Sequence, residues 1–333
     1  MRIGILGAGT WGIALARMLS NHDHQVLVWS ALEQEITSLS KNRIHPNLPY
    51  MTIPSEVMLT KEIQEACKTD ILIIAVPSVY VRDIITKAAP YIESDCIIVI
   101  VTKGIETGSL LTMSEVVEDE LKHLNKYNPV VVLSGPTHAE EVARDMPTAI
   151  ISASSNDMAA RVVQNTFTND FFRVYTNSDI KGVELCGAIK NVIALATGIA
   201  TGLGFGDNAR AALITRGMAE ITRLGQAIGC NMETFYGLAG IGDLIVTATS
   251  QHSRNNRAGT LIGQGYSIEE AKKTVGMVVE GLNTLPAAVQ LAKEYGVEMP
   301  IVTTVEMIVS GMMPVKEAVN ILMKRETKEE KPY

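Results

Sequence analysis

Residues 3–19 read IGILGAGTWGIALARML, and the fold turns on how this stretch is understood. Ile3–Leu6 has the length and apolar character of a buried strand. Thr10–Ser20 reads as a helix, with Ala14, Ala16 and Leu19 available for packing. Between them stand Gly7, Gly9 and Gly12 in the spacing G-x-G-x-x-G. Glycines at this spacing form either a plain strand-to-helix turn or a cradle for a dinucleotide pyrophosphate. The strand before and the helix after favour the cradle. Gly7 then permits the tight turn, Gly9 lets the pyrophosphate approach the backbone, and Gly12 lets helix and strand pack closely. The helix N-terminus adds unpaired N–H groups and partial positive charge. No Gly-Lys-Ser/Thr follows, so the loop is not a mononucleotide P-loop.

The pattern continues outward from this turn. Gln25–Trp29, Ile71–Val76, Cys96–Val101 and Val130–Leu133 are strand-like and mostly Val, Ile and Leu, as in parallel strands covered on both faces. Tyr80–Ala89 and Met113–His123 read as helices between them. Thr148–Ala153 and Phe171–Tyr175 are candidate edge strands. Alternation of this kind predicts a Rossmann-type doubly wound sheet. After about residue 178 the strand pattern stops. Gly182–Thr201, Ala209–Leu224, Ser267–Thr274, Thr284–Tyr295 and Pro314–Met323 all read as helices. The expected fold class is α/β, with an N-terminal dinucleotide-binding domain (1–178) and a C-terminal all-helical domain (179–333) carrying substrate and catalysis. The final KRETKEEKPY reads as a solvated, frayed tail.

The chain has 333 residues, enough for two domains, and a net charge of −7 with no long basic run, which argues against nucleic acid as a partner. Cys67, Cys96, Cys186 and Cys230 form no Cys-x-x-Cys pair and have no His at ligand spacing, so they read as buried thiols in a reducing compartment, with no metal. The N-terminus does not read as a signal peptide, and the longest apolar runs, such as Ile71–Pro77, are of strand length. A cytoplasmic protein without membrane insertion is expected.

At the adenosine end, the second strand runs into Val28-Trp29-Ser30-Ala31. No acid stands there to bind a ribose 2′-hydroxyl, and no Arg to bind a 2′-phosphate. Ser30 could hydrogen-bond a 2′-phosphate, so the reading leans to NADP(H) and leaves NAD(H) open. Glu33 could substitute from the next turn or be an ordinary solvated helix residue.

Reaction at a carbonyl or alcohol needs a group that exchanges a proton, and a lysine serves if burial or a nearby cation lowers its pKa. Lys103 lies just past the fourth long strand, in the crevice where open α/β sheets bind ligands, although most lysines are simply surface residues. Lys190 interrupts an apolar helix, so it either snorkels out or lines a cavity. The stretch Leu133–Glu141 offers free N–H groups at a helix start, suited to an anion, or an ordinary cap by Thr137 with Glu140 at the capping-box position. In Gly237–Leu244, Asp243 could orient a lysine ammonium. In Ser253-Arg254-Asn255, Arg254 offers a planar fork for phosphate and Asn255 amide donors, or the segment is a polar turn between helices. His138 and His252 read as turn or rim residues.

Taken in order, Gly7–Gly12, Ala75–Ser78, Lys103–Glu106, Leu133–Pro136, Glu184 to Lys190-Asn191, Gly237–Leu244 and Ser253–Asn255 resemble the NAD(P)-dependent sn-glycerol-3-phosphate dehydrogenases of bacterial type, from residue 3 to about 320. The resemblance implies reduction of dihydroxyacetone phosphate to glycerol 3-phosphate, supplying phospholipid synthesis, with NADP(H) or NAD(H). It implies that Lys190 is the proton acceptor. It implies substrate contacts at Lys103, Gly135, Thr137, Lys190, Asp243, Ser253, Arg254 and Asn255. Cofactor contacts follow at Thr10, Trp11, Lys103, Ala139, Arg254, Val279 and Glu280, besides the three loop glycines. Thr10 and Thr137 stand where the family usually has Ser, and His138 where it usually has Phe. Asn42–Pro54 departs from the family's Tyr-Leu-Pro-Gly pattern. A homodimer is expected from the Ala-, Leu- and Met-rich helical half. A related β-hydroxyacid dehydrogenase would share Lys190-Asn191 but not the Gly-Asp and Ser-Arg-Asn segments. A non-catalytic dinucleotide sensor would not need Lys103, Lys190 and Asp243 together.

Overall fold

The computed structural model describes residues 1–327, 329 and 330. Within these the chain divides into two compact units: Met1–Thr102 with Met113–Ile180, and Lys103–Thr112 with Lys181 onward.

The first unit runs β1 (Arg2–Leu6), α1 (Thr10–Ser20), β2 (Gln25–Trp29), α2 (Glu33–Asn42), β3 (Met58–Thr60), α3 (Ile63–Cys67), β4 (Ile71–Ile74), α4 (Val81–Ala88), β5 (Ile97–Ile100), α5 (Met113–Lys122), β6 (Val130–Ser134), α6 (Ala139–Val142), β7 (Thr148–Ala153), α7 (Asp157–Phe167) and β8 (Phe172–Asn177). The eight strands form one sheet in the order β3-β2-β1-β4-β5-β6-β7-β8. All neighbours are parallel except β6 and β7. The order reverses between β1 and β4, the switch point where doubly wound sheets bind ligands beyond the strand ends. Ile71, Ile73, Val99 and Val131 from the central strands pack into the core with Ile13, Ala14 and Leu15 of α1.

Several expected boundaries move. The β4 and β5 runs are shorter than Ile71–Val76 and Cys96–Val101, because the chain leaves the ladder where the turns begin. β7 is not an edge strand: it lies between β6 and β8, and the edges are β8 and the unanticipated β3. The helix expected at Tyr80–Ala89 starts with a 3₁₀ turn at Ser78–Tyr80 and passes into another at Ala89–Tyr91, where Pro90 ends the α ladder.

The second unit is helical: α8 (Ile180–Gly202), α9 (Asp207–Ile228), α10 (Met232–Phe235), α11 (Asp243–Thr249), α12 (Arg254–Gly263), α13 (Ile268–Val275), α14 (Glu280–Glu294), α15 (Pro300–Val309) and α16 (Ala318–Met323). Every residue from Gly182 to Ala200 is buried, so α8 is the central post of this unit. By length and composition α8 could cross a membrane, contrary to the strand-length expectation. Its apolar window is wholly covered by protein, which is the pattern of a core helix apolar all round. The helix expected to start at Pro314 begins as a 3₁₀ turn after it, since Pro314 is extended (φ −62°, ψ 138°). Segment 103–112 joins this unit, with Ile105 inserted among the helices and bridged to Thr112.

None of the four cysteines is in a disulfide. Cys67, Cys96 and Cys186 are buried, and burial pushes the Cys67 and Cys96 thiols up to about 12. Cys230 is only half-buried. Of the expected tail, Arg325 pairs with Glu298 at 3.0 Å, while Lys328 and 331–333 lie outside the described residues.

Candidate active site

In the sheet unit the three glycines occupy three different situations. Gly7 adopts φ +124°, a region open to glycine, and a Cβ there would sit 2.7 Å from the Ala75 backbone. A Cβ on Gly12 would meet the Gly7 carbonyl oxygen at 2.1 Å. Around Gly9 a Cβ would meet nothing within 4 Å. So Gly7 and Gly12 are required by the turn and by helix–strand packing, while Gly9 faces open space at the helix cap. No side chain caps α1, so its first N–H groups stay available to an anion. This donor set fits a pyrophosphate. The Thr10 hydroxyl accepts from the Asn47 amide at 3.1 Å, which draws the 42–54 stretch over the turn.

Ser30 does not present a free hydroxyl to a 2′-phosphate. It is buried, donates to Glu35 Oε2 at 2.5 Å, and accepts the Leu32 N–H. Glu33 instead reaches Lys61 at 3.3 Å. In the 133–141 stretch, Thr137 does not cap a helix: its hydroxyl donates to the Gly135 carbonyl at 3.3 Å, and His138 is the N-cap residue. The helix that follows, α6, has four residues. Ala139 and Trp11 both pack on the sheet unit's core.

The helical unit brings together the groups singled out for proton chemistry. Gly237–Gly242 turns through a kink at Gly240 and delivers Asp243 to the start of α11. That is the positive end of the helix, which suits a carboxylate. Asp243 is 1% exposed. One of its oxygens accepts from Lys103 Nζ at 2.6 Å and the other from Lys190 Nζ. Lys190 Nζ also donates to Thr247 Oγ1 at 2.7 Å, one turn further along α11. Lys190 therefore does not snorkel out. Burial pushes its ammonium down to about 7; Asp243 opposes this and Lys103, a like charge, reinforces it. An amine that titrates near neutrality, with one N–H unused among the described residues, is poised to give and take a proton.

Ser253 is not in a turn but is the N-cap of α12, its hydroxyl accepting the Asn256 N–H at 3.2 Å. Arg254 is exposed, and its guanidinium makes no hydrogen bond or ion pair among the described residues. Asn255 is buried and largely spent within the fold. Its amide donates to Asn191 Oδ1 at 2.9 Å, and its oxygen accepts the Gly281 N–H at 2.8 Å. It thus ties α8 and α12 to the start of α14, where Val279 and Glu280 stand. The α8–α12 contact is a glycine seam. A Cβ on Gly198 would meet Asn256 O at 2.1 Å, and one on Gly259 would meet Leu195 O at 2.2 Å. Gly202 and Gly263 repeat the approach one turn on. His252 is exposed.

The helical unit thus joins Lys103, Lys190 and Asp243 directly, and links Ser253–Asn255 with Val279–Glu280 through one amide. The sheet unit holds Gly7, Gly9, Thr10, Trp11, Gly12, Gly135, Thr137 and Ala139. Thr247 was legible as i+4 from Asp243 on one helix face. The roles of Asn47, Glu35 and the Asn191–Asn255 bridge had no local signal.

A glycine turn at the switch point of a doubly wound sheet, with a helical unit that buries a lysine of lowered pKa, defines a pyridine-nucleotide dehydrogenase architecture. The profiles for NAD-dependent glycerol-3-phosphate dehydrogenase N-terminus and C-terminus match residues 2–160 and 179–320. The chain is 60% identical to glycerol-3-phosphate dehydrogenase [NAD(P)+] 2 of Lactobacillus delbrueckii subsp. bulgaricus, over 99% of this chain and 98% of that one. It is 49% identical to the glycerol-3-phosphate dehydrogenase [NAD(P)+] of Agathobacter rectalis, over 98% and 97%. The crystal structure of glycerol-3-phosphate dehydrogenase from Coxiella burnetii superposes with a TM-score of 0.93 at 38% identity, covering 97% of this chain and 99% of that one. The chain belongs to the NAD-dependent glycerol-3-phosphate dehydrogenase family.

Proposed function

We propose that the protein interconverts dihydroxyacetone phosphate and sn-glycerol 3-phosphate, with NAD(P)(H) as its cofactor. The observation that carries the reading is the buried Lys190–Asp243–Lys103 cluster. The cofactor, when bound, supplies hydride in reduction and accepts it in oxidation. Lys190 Nζ gives its proton to the substrate's carbonyl oxygen during reduction and takes it back from the alcohol during oxidation. Asp243 and Thr247 hold two of its N–H bonds, so the third is aimed. Lys103 keeps Lys190 easy to deprotonate and adds positive potential for the developing oxyanion.

Arg254, with the N–H groups at the start of α12, grips the phosphate, and that remote grip aligns the reacting carbon. Asn255 acts mainly by fixing α12 against α8, as its hydrogen bonds support. Gly7, Gly9 and Gly12 take the pyrophosphate. The other substrate contacts (Gly135, Thr137, Ser253) and cofactor contacts (Thr10, Trp11, Lys103, Ala139, Arg254, Val279, Glu280) rest on the family resemblance. Residues 1–178 are read as the cofactor domain and 179–333 as the catalytic one.

We place the activity in the cytoplasm, supplying phospholipid synthesis; four cysteines kept as thiols suit a reducing compartment. A homodimer is proposed. An apolar groove of about 860 Å³ in the helical unit, lined by Leu203, Phe205, Leu213 and Ile308 among others, supports it, and light scattering tests it. The test of function is the initial rate of dihydroxyacetone phosphate reduction with NADH and NADPH side by side. Turnover is expected; no rate with either cofactor refutes the reading.

A further inference from the structure

The end of β2 is where a doubly wound sheet reads the adenosine ribose: an acid there binds a 2′-hydroxyl, and a cation there accepts a 2′-phosphate. In this chain Ser30–Glu35 contains two carboxylates and no cation. The buried Ser30 hydroxyl donates to Glu35 Oε2 at 2.5 Å, so the Glu35 carboxylate is drawn back from the first turn of α2 to the strand end. Its field reaches the buried His45 imidazole, whose pKa burial lowers and Glu35 partly restores. His45 and Asn47 belong to the stretch that closes on Thr10 of the glycine turn. Of the cations near this end, Lys61 pairs with Glu33 and Arg43 donates to the carbonyls of Pro54 and Val57, while Lys41 stands exposed on the last turn of α2.

From these positions we infer that Glu35, presented by Ser30, is the specificity residue of the cofactor site and selects the dinucleotide lacking a 2′-phosphate. This rests on the cofactor reading given above and narrows it. The carboxylate accepts from a ribose hydroxyl and repels a phosphate dianion. The lean to NADP(H) drawn from the missing acid is thereby reversed, because the acid arrives from five residues downstream.

The same hydrogen-bond pattern recurs at β3. Thr60 donates to Glu65 at 2.5 Å and accepts the Glu62 N–H, just as Ser30 does with Glu35 and Leu32. β3 is a sheet edge, one strand further from the glycine turn. It therefore supplies an internal control that separates turn formation from cofactor choice.

The test is equilibrium titration of the whole protein with NADH and with NADPH, without substrate, followed by nicotinamide fluorescence. Wild type is expected to bind NADH at least about 10-fold more tightly than NADPH, the effect of one unfavourable charge contact. Glu35→Gln keeps an acceptor for Ser30 and removes the charge; it is expected to narrow the Kd ratio by about 5-fold or more through gained NADPH affinity. Glu65→Gln is expected to leave the ratio unchanged. A wild-type ratio near one or favouring NADPH overturns the assignment without any variant, and so does a Glu35→Gln ratio equal to wild type. Binding of neither dinucleotide instead removes the cofactor reading itself, and the assignment with it.

Discussion

Replacing Asp243 by Asn keeps the side chain's shape and removes the one negative charge between two ammonium groups. Asp243 Oδ2 lies 2.6 Å from Lys103 Nζ, and Oδ1 contacts Lys190 Nζ. A unit charge acting at about 4 Å with an effective dielectric near 20 is worth about 4 kcal/mol, or roughly 3 pKa units. The Asn dipole and local relaxation return part of this, so the Lys190 midpoint, near 7 in wild type, is expected to fall by about 1–3 units. The sign in each direction follows from which form works. Reduction uses the ammonium, so its rate declines as pH rises through the midpoint. Oxidation uses the neutral amine, so its rate climbs there. In Asp243→Asn both limbs should move to lower pH, and reduction at pH 7.5 should drop at least about 10-fold. Lys103→Met removes a like charge and should move both limbs to higher pH. The assay is kcat/KM against pH in both directions, read as midpoints of the coupled cluster. An Asp243→Asn profile that stays in place or moves to higher pH refutes the electrostatic account.

Other outcomes are open to direct measurement. Lys190→Ala should lower turnover by about 10²-fold or more while leaving dinucleotide affinity within about 2-fold, and near wild-type turnover would remove it as the proton-transfer group. Gly9→Val should keep the melting temperature and lose about 10-fold or more in NADH binding. Gly12→Val should lower the melting temperature itself, since its Cβ has no room. Arg254→Ala should raise KM for dihydroxyacetone phosphate by about 10- to 100-fold without loss of stability, as its guanidinium holds nothing else among the described residues. Glu220 is buried against the N-terminus of α15, and burial pushes its carboxyl up to about 7 from 4.5. The folded chain then keeps a proton the unfolded chain has lost between those values, so stability falls as pH rises across that window. Glu220→Gln should flatten this slope by up to about 3 kcal/mol in denaturant unfolding between pH 5 and 8.

The two units were legible in the sequence to different depths. The β1–α1 turn is readable because three glycines fall within six residues, two of which, Gly7 and Gly12, the backbone geometry demands. Lys190 stood out because a charge within an apolar helix needs a reason. Its partner Asp243 lies 53 residues away, and no local pattern joins them. The run of polar residues at Ser253-Arg254-Asn255 suits a site segment or a turn equally, and nothing local marks that the Ser253 hydroxyl starts a helix. β3 has three residues and no alternation to reveal it. The reversal of β7 against β6 depends on tertiary pairing rather than on any residue type. At the adenosine end no acid stands in Val28–Ala31, and only the folded chain shows that Ser30 hydrogen-bonds Glu35 from the next helix.

The glycine seam between α8 and α12 has a consequence for what the protein can become. Where two backbones touch, no rotamer lies between them to be adjusted. The spacing of the α8 and α12 backbones is therefore set by direct contact. No substitution elsewhere on the surface or in the interior can bring the two helices closer. The simplest way to widen that spacing is to add a methyl group at Gly198, Gly202, Gly259 or Gly263, which would force the helices apart. A sequence that drifts at any of these four glycines loses stability there, whatever it gains elsewhere.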